Sequence, residues 1–405
     1  MTNIAVMGYG TVGTGVVNVL EANKELITKR VGEEVNVKYV LDLRDFPGTP
    51  IQDKIIHDFD VLLQDDEIKV VVEVMGGIEP AYTFVKKCLQ AGKHVVTSNK
   101  ALVAQHGADL FEIAKEKNIK FLFEASVGGG IPIIRPLVTS LSADEIEEIT
   151  GILNGTTNYM MTKMFYEGAN YADVLKEAQE NGYAEADPTA DVQGHDACRK
   201  IAILSSVITG KRVDFEEIHT EGITQISTED MQYAKVKNMT IKLLATATKT
   251  ERGIEVIVAP FMLKATHPLY SVNDVFNAVF VRGNMLGEAM FYGQGAGELP
   301  TASAVVSDIV EAAFASDRSM LASWEQDKLM LCDNGQVRRT FFVRIKGEQQ
   351  DLKALLEEKF GASEFITVKE LEGEFGFFTS KMTEDEYAAR AKECSGILGR
   401  IRVEA

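Results

Sequence analysis

The sequence predicts an α/β protein: a doubly wound parallel sheet, a second α+β domain, and a small C-terminal β-α-β-β-α-β unit. Three observations carry that expectation. Valine-rich apolar runs alternate with helical patterns through residues 1–132, as buried parallel strands and crossover helices do. A glycine-rich turn joins the first strand pattern to the first helix pattern. Residues 339–405 repeat strand and helix signals in the order of a split βαβ. At 405 residues the chain exceeds one ordinary core. The expected divisions are 1–132, completed by about 300–330, then 133–299, then 339–405.

Asn3–Met7 is a short apolar strand, and Gly8-Tyr9-Gly10-Thr11-Val12-Gly13 follows at once. An apolar helix pattern then runs through Val16, Val17, Val19 and Leu20. A bare G-x-G-x-x-G is weak, but one set between strand and helix is the dinucleotide fingerprint of a Rossmann-type sheet. Gly8 permits the tight turn, Gly10 admits a pyrophosphate to the backbone, and Gly13 lets helix and strand pack closely. The phosphates would rest on N–H groups near Thr11 and Val12.

The second strand, 35–43, ends in Asp42-Leu43-Arg44-Asp45. An acidic residue there binds the ribose hydroxyls of NAD, whereas an arginine accepts the extra phosphate of NADP. Asp42 and Arg44 argue opposite ways, so the preference stays open. Further strands are expected at 69–74, 94–97 and 121–124. Lys100 falls just past a strand's C-terminal end, where open α/β sheets bind ligands, or is an exposed loop lysine. Glu124-Ala125-Ser126-Val127-Gly128-Gly129-Gly130-Ile131-Pro132 marks the exit from the sheet. Three glycines there suggest backbone held against another segment or against a cation bound by carbonyl oxygens, with a plain domain hinge the leading reading.

Residues 149–153 read as a strand leading into Asn154-Gly155-Thr156-Thr157-Asn158-Tyr159. Thr156, Thr157 and Asn158 read as helix caps, or as a site where the same N–H groups bind a carboxylate. Gly182-Tyr183-Ala184-Glu185-Ala186-Asp187-Pro188 is a loop rich in acids. Beyond it, Asp196 and Lys200 are spaced i,i+4 and share one helix face. That face continues with Ile203 and Val207, so it points inward rather than to water. An acid and an amine held in partly dry surroundings suit proton transfer on a small polar substrate. Strands follow at 254–263 and 278–282, then a Gly-rich entry, 292–301, to a small-residue helix at 302–313. His267 reads as a structural histidine. The tail carries strands at 340–345, 365–371, 375–379 and 397–403, with helices at 352–360 and 384–392.

Composition narrows the function. A net charge of −18 repels phosphate backbones, so no nucleic-acid partner is expected. No apolar run reaches the length of a membrane span, and the N-terminus shows neither leader nor basic arm. Cys88, Cys198, Cys332 and Cys394 are scattered without C-x-x-C spacing, as in reduced, cytoplasmic proteins.

Taken together, the motifs closely resemble those of homoserine dehydrogenases. The likeness rests on Gly8–Gly13, 97–102, Glu124–Pro132, Asn154–Tyr159, Gly182–Pro188 with Asp196–Lys200, and 295–302, and it covers roughly residues 1–330. It implies reversible reduction of L-aspartate 4-semialdehyde to L-homoserine with NAD(P)H, NADP slightly favoured, on the way to threonine and methionine. It also implies that Lys200 is the proton donor and acceptor and Lys100 a second essential amine beside substrate and nicotinamide. Glu185, Asp196, Thr156, Tyr183 and Asp191 match substrate-binding positions. Gly8, Gly10, Thr11, Val12, Gly13, Gly182 and Gly297 match cofactor positions, and Arg44 an arginine of NADP-preferring relatives. Glu124, Val127, Gly129 and Ile131 match a structural sodium site. A homodimer through the middle, substrate-binding domain is a further implication.

The tail is similar in pattern to an ACT domain, an amino-acid-sensing module. Ligand-binding members carry Asp-x-Pro-Gly after the first strand; this chain has Lys346-Gly347-Glu348-Gln349-Gln350, which implies a structural or dimer-supporting role. Two other readings compete. An aspartate-semialdehyde dehydrogenase needs a nucleophilic cysteine with a base nearby. A non-catalytic nucleotide-gated sensor would have no need of Glu185, Asp196, Lys200 and Lys100 together.

Overall fold

The computed structural model describes residues 1–314 and 321–404. Its first layer is the expected parallel sheet. β1 (Thr2–Met7), β2 (Val35–Leu41), β3 (Ile55–Ile56), β4 (Ile68–Glu73), β5 (His94–Thr97) and β6 (Phe121–Leu122) align in the order β3-β2-β1-β4-β5-β6. Every pairing in that sheet is parallel. The helices between them are α1 (Thr11–Ala22), α2 (Lys24–Val31), α3 (Phe59–Gln64), α4 (Ala81–Gln90) and α5 (Lys100–Glu116).

The alternation of β1 explains the double winding. Ile4 and Val6 face Val16, Val40, Val70 and Val72 on one side, while Ala5 and Met7 join Val71, Val85, Leu89 and Leu102 on the other. All of these side chains are buried, each worth about 1.5–3 kcal/mol for a full Val, Leu or Ile.

A mixed sheet forms the second layer. In chain order this part of the molecule carries β7 (Ile146–Ile152), the two-residue strands β8 (Lys211–Arg212) and β9 (His219–Thr220), then β10 (Met239–Thr250), β11 (Gly253–Lys264), β12 (Phe276–Gly283) and β13 (Gly287–Gln294), all but β8 belonging to the mixed sheet. β8 stands apart, pairing only with β14 (Glu325–Lys328), and β9 lies beside β11. Helices α6 (Gly155–Glu167), α7 (Tyr171–Glu180), α8 (Thr189–Val192), α9 (His195–Thr209) and α10 (Thr228–Val236) accompany this sheet. α9 begins and ends at glycines with positive φ, Gly194 (82°) and Gly210 (67°), so the Asp196–Lys200 face has fixed limits.

The chain then returns to the first layer. α11 (Glu298–Ala313) packs on α1 so closely that a Cβ on Gly15 would lie 2.9 Å from Ala302 Cβ. Of the stretch 300–330 expected to complete the first domain, residues 315–320 lie outside the described residues.

The tail folds as β15 (Arg338–Lys346), α12 (Gln349–Phe360), β16 (Glu364–Ile366), β17 (Glu374–Phe378), β18 (Met382–Thr383), α13 (Glu384–Lys392) and β19 (Ile397–Val403). Its main strands lie in the order β19-β15-β17-β16, which closes a β-α-β-β-α-β motif. The strand expected over 365–371 stops at Ile366, and the chain turns from there to Leu371. The tail is also joined to the middle layer. β19 pairs in parallel with β11, Phe261 opposite Arg402 and Met262 opposite Val403, so one eleven-stranded sheet runs through both.

Buried charge lines that seam. Arg402, 1% exposed, donates to Glu384 Oε1 (2.6 Å) and to Glu221 Oε2 (2.7 Å) and Oε1 (2.8 Å). Arg400 adds bonds to the same two carboxylates. Glu384 belongs to α13 and Glu221 follows β9, so the network crosses between tail and middle layer.

Candidate active site and cofactor cleft

α9 carries Asp196 on its first turn and Lys200 one turn later. Lys200 Nζ donates to Asp196 Oδ2 and to the Leu153 carbonyl, both at 2.7 Å. Its third ammonium proton has no acceptor among the described residues. From across the cleft, Lys100 at the start of α5 places its Nζ 2.7 Å from Asp196 Oδ1. Asp196 is buried and Lys200 nearly so, while Lys100 is partly exposed. Burial alone would push the Asp196 carboxyl up; the two ammonium groups outweigh it and hold it well below the usual carboxylate range.

A second acid completes the cluster. Asn154 Nδ2 donates to Asp191 Oδ1 (2.7 Å) and Asp196 Oδ2 (2.9 Å), linking α8 to α9. Burial pushes the Asp191 carboxyl up, against the Asn154 hydrogen bond, and the neighbouring Asp196 charge pushes it the same way. Asn154 also caps α6, accepting from Thr157 N at 2.9 Å. The cap is therefore Asn154, not Thr156, Thr157 or Asn158 as the residue pattern suggests. A residue preceding the helix must accept the free N–H groups, and Asn154 is the one in extended backbone. Thr156 instead donates to the Tyr183 carbonyl, and Asn158 holds the carbonyls of Val272, Asp274 and Phe276.

The acidic loop is less tightly drawn in. Glu185 is exposed and its carboxylate has no partner among the described residues; Gln179 holds its backbone carbonyl at 3.0 Å. The Tyr183 ring rests edge-on against Tyr159, at 5.0 Å between centroids. Gly182 ends the preceding turn at φ 74°. His267 accepts from Leu269 N at 3.1 Å and caps the turn over 268–271, a structural role.

The fingerprint has the geometry its glycines promise. Gly8 has φ 99°, and a Cβ on Gly13 would sit 2.0 Å from the Gly8 carbonyl oxygen. Around Gly10 the space is open, with no atom within 4 Å of where a Cβ would stand. Thr11 and Val12 begin α1 there, and Gly297 begins α11, whose Glu298 and Ala302 abut Gly15. A cavity of about 540 Å³ opens beside the fingerprint, lined by Gly8, Asp42, Arg44, Met75 and Gly76 among others. Open backbone at Gly10, a helix N-terminus and an adjoining cavity fit a dinucleotide. His57, which pattern reading passes over, lines the same cavity and lies 2.7 Å from the Asp42 carbonyl.

Asp42 and Arg44 turn out to be partners. The Arg44 guanidinium hydrogen-bonds Asp42 at 3.0 and 3.1 Å and the Tyr9 carbonyl at 3.0 Å, and lies over the Phe46 ring. Tyr9 N also donates to Asp42, at 2.8 Å. The Arg44 guanidinium, together with the N–H groups of Arg44 and Tyr9, draws the Asp42 carboxyl down to about 2.

At the sheet exit, Glu124 is buried and its carboxylate accepts from the N–H groups of Ile133, Ile134 and Arg135 at 2.7–2.8 Å. That commits the side chain, so a cation at this loop would rest on carbonyl oxygens. Among the described residues no group of three His, Cys, Asp or Glu could hold a metal. The glycines here pack against another segment: a Cβ on Gly129 would lie 2.5 Å from the Gly295 carbonyl oxygen, and one on Gly130 2.8 Å from Pro300. Val127 and Ile131 flank them, both buried.

Neither early cysteine is equipped as a nucleophile. Burial pushes the Cys88 thiol up to about 12 and raises that of Cys198, which donates to the Phe215 carbonyl. No helix among the described residues is long and apolar enough to cross a membrane.

Comparison with known proteins agrees with this geometry. The family model described as homoserine dehydrogenase matches residues 132–310, and that described as its NAD binding domain matches 8–124. The homoserine dehydrogenase of Bacillus subtilis is 45% identical over 314 residues, 76% of this chain and 72% of the relative. That of Helicobacter pylori is 42% identical over 363 residues, 88% and 85% of the two chains. Among solved structures, a homoserine dehydrogenase from Thiobacillus denitrificans superposes with a TM-score of 0.92 at 36% identity, covering 100% of this chain and 98% of the other. A hyperthermophilic archaeal homoserine dehydrogenase in complex with NADPH gives 0.68 at 30% identity, over 79% and 99%. With relatives this similar over most of both chains, the protein belongs to the homoserine dehydrogenase family.

Proposed function

We propose that this family member interconverts L-aspartate 4-semialdehyde and L-homoserine with NAD(P)H, and that Lys200 is its acid and base. The observation that carries the assignment is the Lys200 ammonium, nearly buried, fixed by Asp196 and the Leu153 carbonyl, with one proton uncommitted. When bound, the reduced nicotinamide supplies a hydride to the aldehyde carbon. As that carbon is reduced, negative charge develops on its oxygen; the Lys200 ammonium stabilises the charge and delivers the proton. In the reverse direction the neutral amine takes the proton from the hydroxyl. Lys100 supplies a second positive charge on the other side of Asp196.

The substrate is an amino acid, and the site has groups for both of its charged ends. Asp191, Asp196 and the exposed carboxylate of Glu185 suit its ammonium. Thr156, the Tyr183 carbonyl and the N–H groups that open α6 suit its polar backbone atoms.

Arg44 favours NADPH. Its guanidinium sits at the end of β2 where the adenosine ribose would lie, and it already occupies the Asp42 carboxylate that NADH would need. Sodium, bound by the carbonyl oxygens of Glu124, Val127, Gly129 and Ile131, would brace the glycine loop without entering the reaction. Assembly as a homodimer through the middle domain, and an ACT-like tail that supports structure rather than strong threonine feedback, complete the reading. The sheet shared by β11 and β19 supports that structural role.

The test is NADPH oxidation followed with aspartate semialdehyde, in the absence of phosphate, for the parent protein and Lys200→Ala. The parent should turn over, and the variant should lose turnover while binding NADPH nearly as before. Near-normal turnover in Lys200→Ala removes the lysine from this role. A parent that leaves NADPH untouched but reduces NADP+ when aspartate semialdehyde and phosphate are both supplied is acting as the other dehydrogenase.

A further inference from the structure

Glu73 closes β4 with a fully buried side chain, and no cation pairs with it among the described residues. Its neighbours in the strand, Val70, Val71 and Val72, are apolar, and an apolar residue would fill the same space without the cost of burying an acid. Burial pushes the carboxyl up, and donors around it, Thr97 and the Met75 N–H foremost, oppose that rise. Oε1 accepts from Met75 N at 2.9 Å, and Oε2 accepts from the Thr97 hydroxyl at 2.6 Å.

Both contacts lead to the active cleft. Met75 and Gly76 line the cofactor cavity. Thr97 Oγ1 accepts from Asn99 N at 3.0 Å, and Asn99 caps α5 by accepting from Leu102 N at 3.1 Å. Asn99 Nδ2 also ties the Gly77 carbonyl at 2.5 Å, binding the loop after β4 to the helix that starts with Lys100. Lys100 then reaches Asp196.

We propose that Glu73 is a positioning residue that sets the Lys100 ammonium and the loop Met75–Gly77 as one unit. The inference rests on the assignment of Lys100 to the reaction. It depends on polarity as well as shape. Met75 N–H can only donate, and the Thr97 hydroxyl donates in this arrangement, so both side-chain oxygens of Glu73 accept. With the Thr97 proton committed to Glu73, a Thr97 lone pair faces Asn99 N–H. Glutamine has the same shape but turns one acceptor into a donor, which either faces Met75 N–H or reverses the Thr97 hydroxyl.

The experiment compares Glu73→Gln, Thr97→Val, Thr97→Ser, the Glu73→Gln/Thr97→Val double variant and Lys100→Met. For each, kcat and KM for aspartate semialdehyde, NADPH affinity by fluorescence, and the thermal midpoint are measured. Glu73→Gln and Thr97→Val should each lower kcat between about 10- and 100-fold, the scale set by small misplacements of reacting groups. KM should move less than kcat. Thr97→Ser, which keeps the hydroxyl, should recover the parent kcat, and the double variant should be no worse than the worse single.

Parent-like kcat in folded Glu73→Gln, additive losses in the double variant, or losses confined to the thermal midpoint would each overturn the proposal. Should Thr97→Val fail to fold, Glu73→Gln and Thr97→Ser still decide it. Lys100→Met with parent turnover refutes the underlying assignment. Lys100→Met inactive beside an active Glu73→Gln refutes the positioning role alone.

Discussion

Lys100 and Asp196 meet at 2.7 Å across the cleft between α5 and α9, one contributed by the nucleotide-binding sheet's helix and the other by the middle layer. Asp196 also holds Lys200, so one carboxylate keeps two ammonium groups apart and in place. Asp196→Asn removes the charge but keeps the shape. The two lysines then repel each other, and the acid–base group loses its orientation. We expect kcat/KM to fall by about 10²–10⁴, the usual worth of a placed acid or base, with NADPH affinity retained. Steady-state kinetics with a parallel fluorescence titration of NADPH check this.

Two of the fingerprint's three glycines should fail differently. No atom lies within 4 Å of where a Cβ on Gly10 would stand, so Gly10→Ala should leave the unfolding midpoint unchanged and weaken NADPH at least about tenfold, as its methyl takes the place of pyrophosphate. At Gly13 the added Cβ would lie 2.0 Å from a backbone oxygen, so Gly13→Ala should lower the midpoint before any cofactor is added. Thermal unfolding with and without NADPH distinguishes the two.

Cofactor choice should turn on Arg44. Removing it frees Asp42, whose carboxyl the arginine holds down near 2, to accept ribose hydroxyls. Arg44→Ala should raise KM for NADPH by about 10- to 100-fold, the worth of a charge-assisted hydrogen bond, and lower KM for NADH. Paired kinetics with the two nucleotides measure it.

Gly129 tests the packed loop at the sheet exit. Its φ of 55° strains any other residue, and a Cβ would meet the Gly295 carbonyl at 2.5 Å. Gly129→Ala should cost at least about 2 kcal/mol of stability, read by chemical denaturation.

Acid should loosen the seam at Arg402. Burial would raise the Glu221 carboxyl, but the hydrogen bonds from Arg402 and His219 and the charge of Arg400 carry it well below its ordinary 4.5. The folded value being the lower one, the stability it contributes is complete above pH 4.5 and is lost as the pH falls further. Glu221→Gln should flatten that acid limb of the denaturation profile. Arg402→Leu should cost about 1–3 kcal/mol at neutral pH, since it takes one of the bonded cations from buried Glu384 and leaves Arg400 at 2.9 Å, while the partly exposed Glu221 can still find water.

Much of this architecture is readable from residue patterns because it rests on local rules. The valine runs at 94–97 and 384–392's acidic start and basic end appear in the structure with the same limits, His94–Thr97 and Glu384–Lys392. The i,i+4 spacing of Asp196 and Lys200 likewise predicts their 2.7 Å contact. What escapes the pattern depends on distant chain segments. Asn154 and the Leu153 carbonyl look like the end of a strand, and only folding brings them to Asp191, Asp196 and Lys200. Glu73 falls inside the strand expected at 69–74, and nothing in the sequence ties it to Thr97. The opposed signals of Asp42 and Arg44 are one ion pair, which spacing alone does not disclose. Strand β10, with no turn signal to announce it, is defined by its twelve-residue pairing with β11.

The parallel pairing of β19 with β11 also bears on how the molecule is made. β19 lies inside the large sheet, between β11 and β15, yet it is synthesised after every other strand of that sheet. Until it emerges from the ribosome, β15 and the end of β11 beyond its pairing with β9 lack a partner on that side and are able to recruit stray strands from other chains. Newborn chains should therefore lean on chaperones late in translation, and a premature stop ahead of Ile397 should yield sticky, poorly soluble protein even though every residue of the reaction centre is already present.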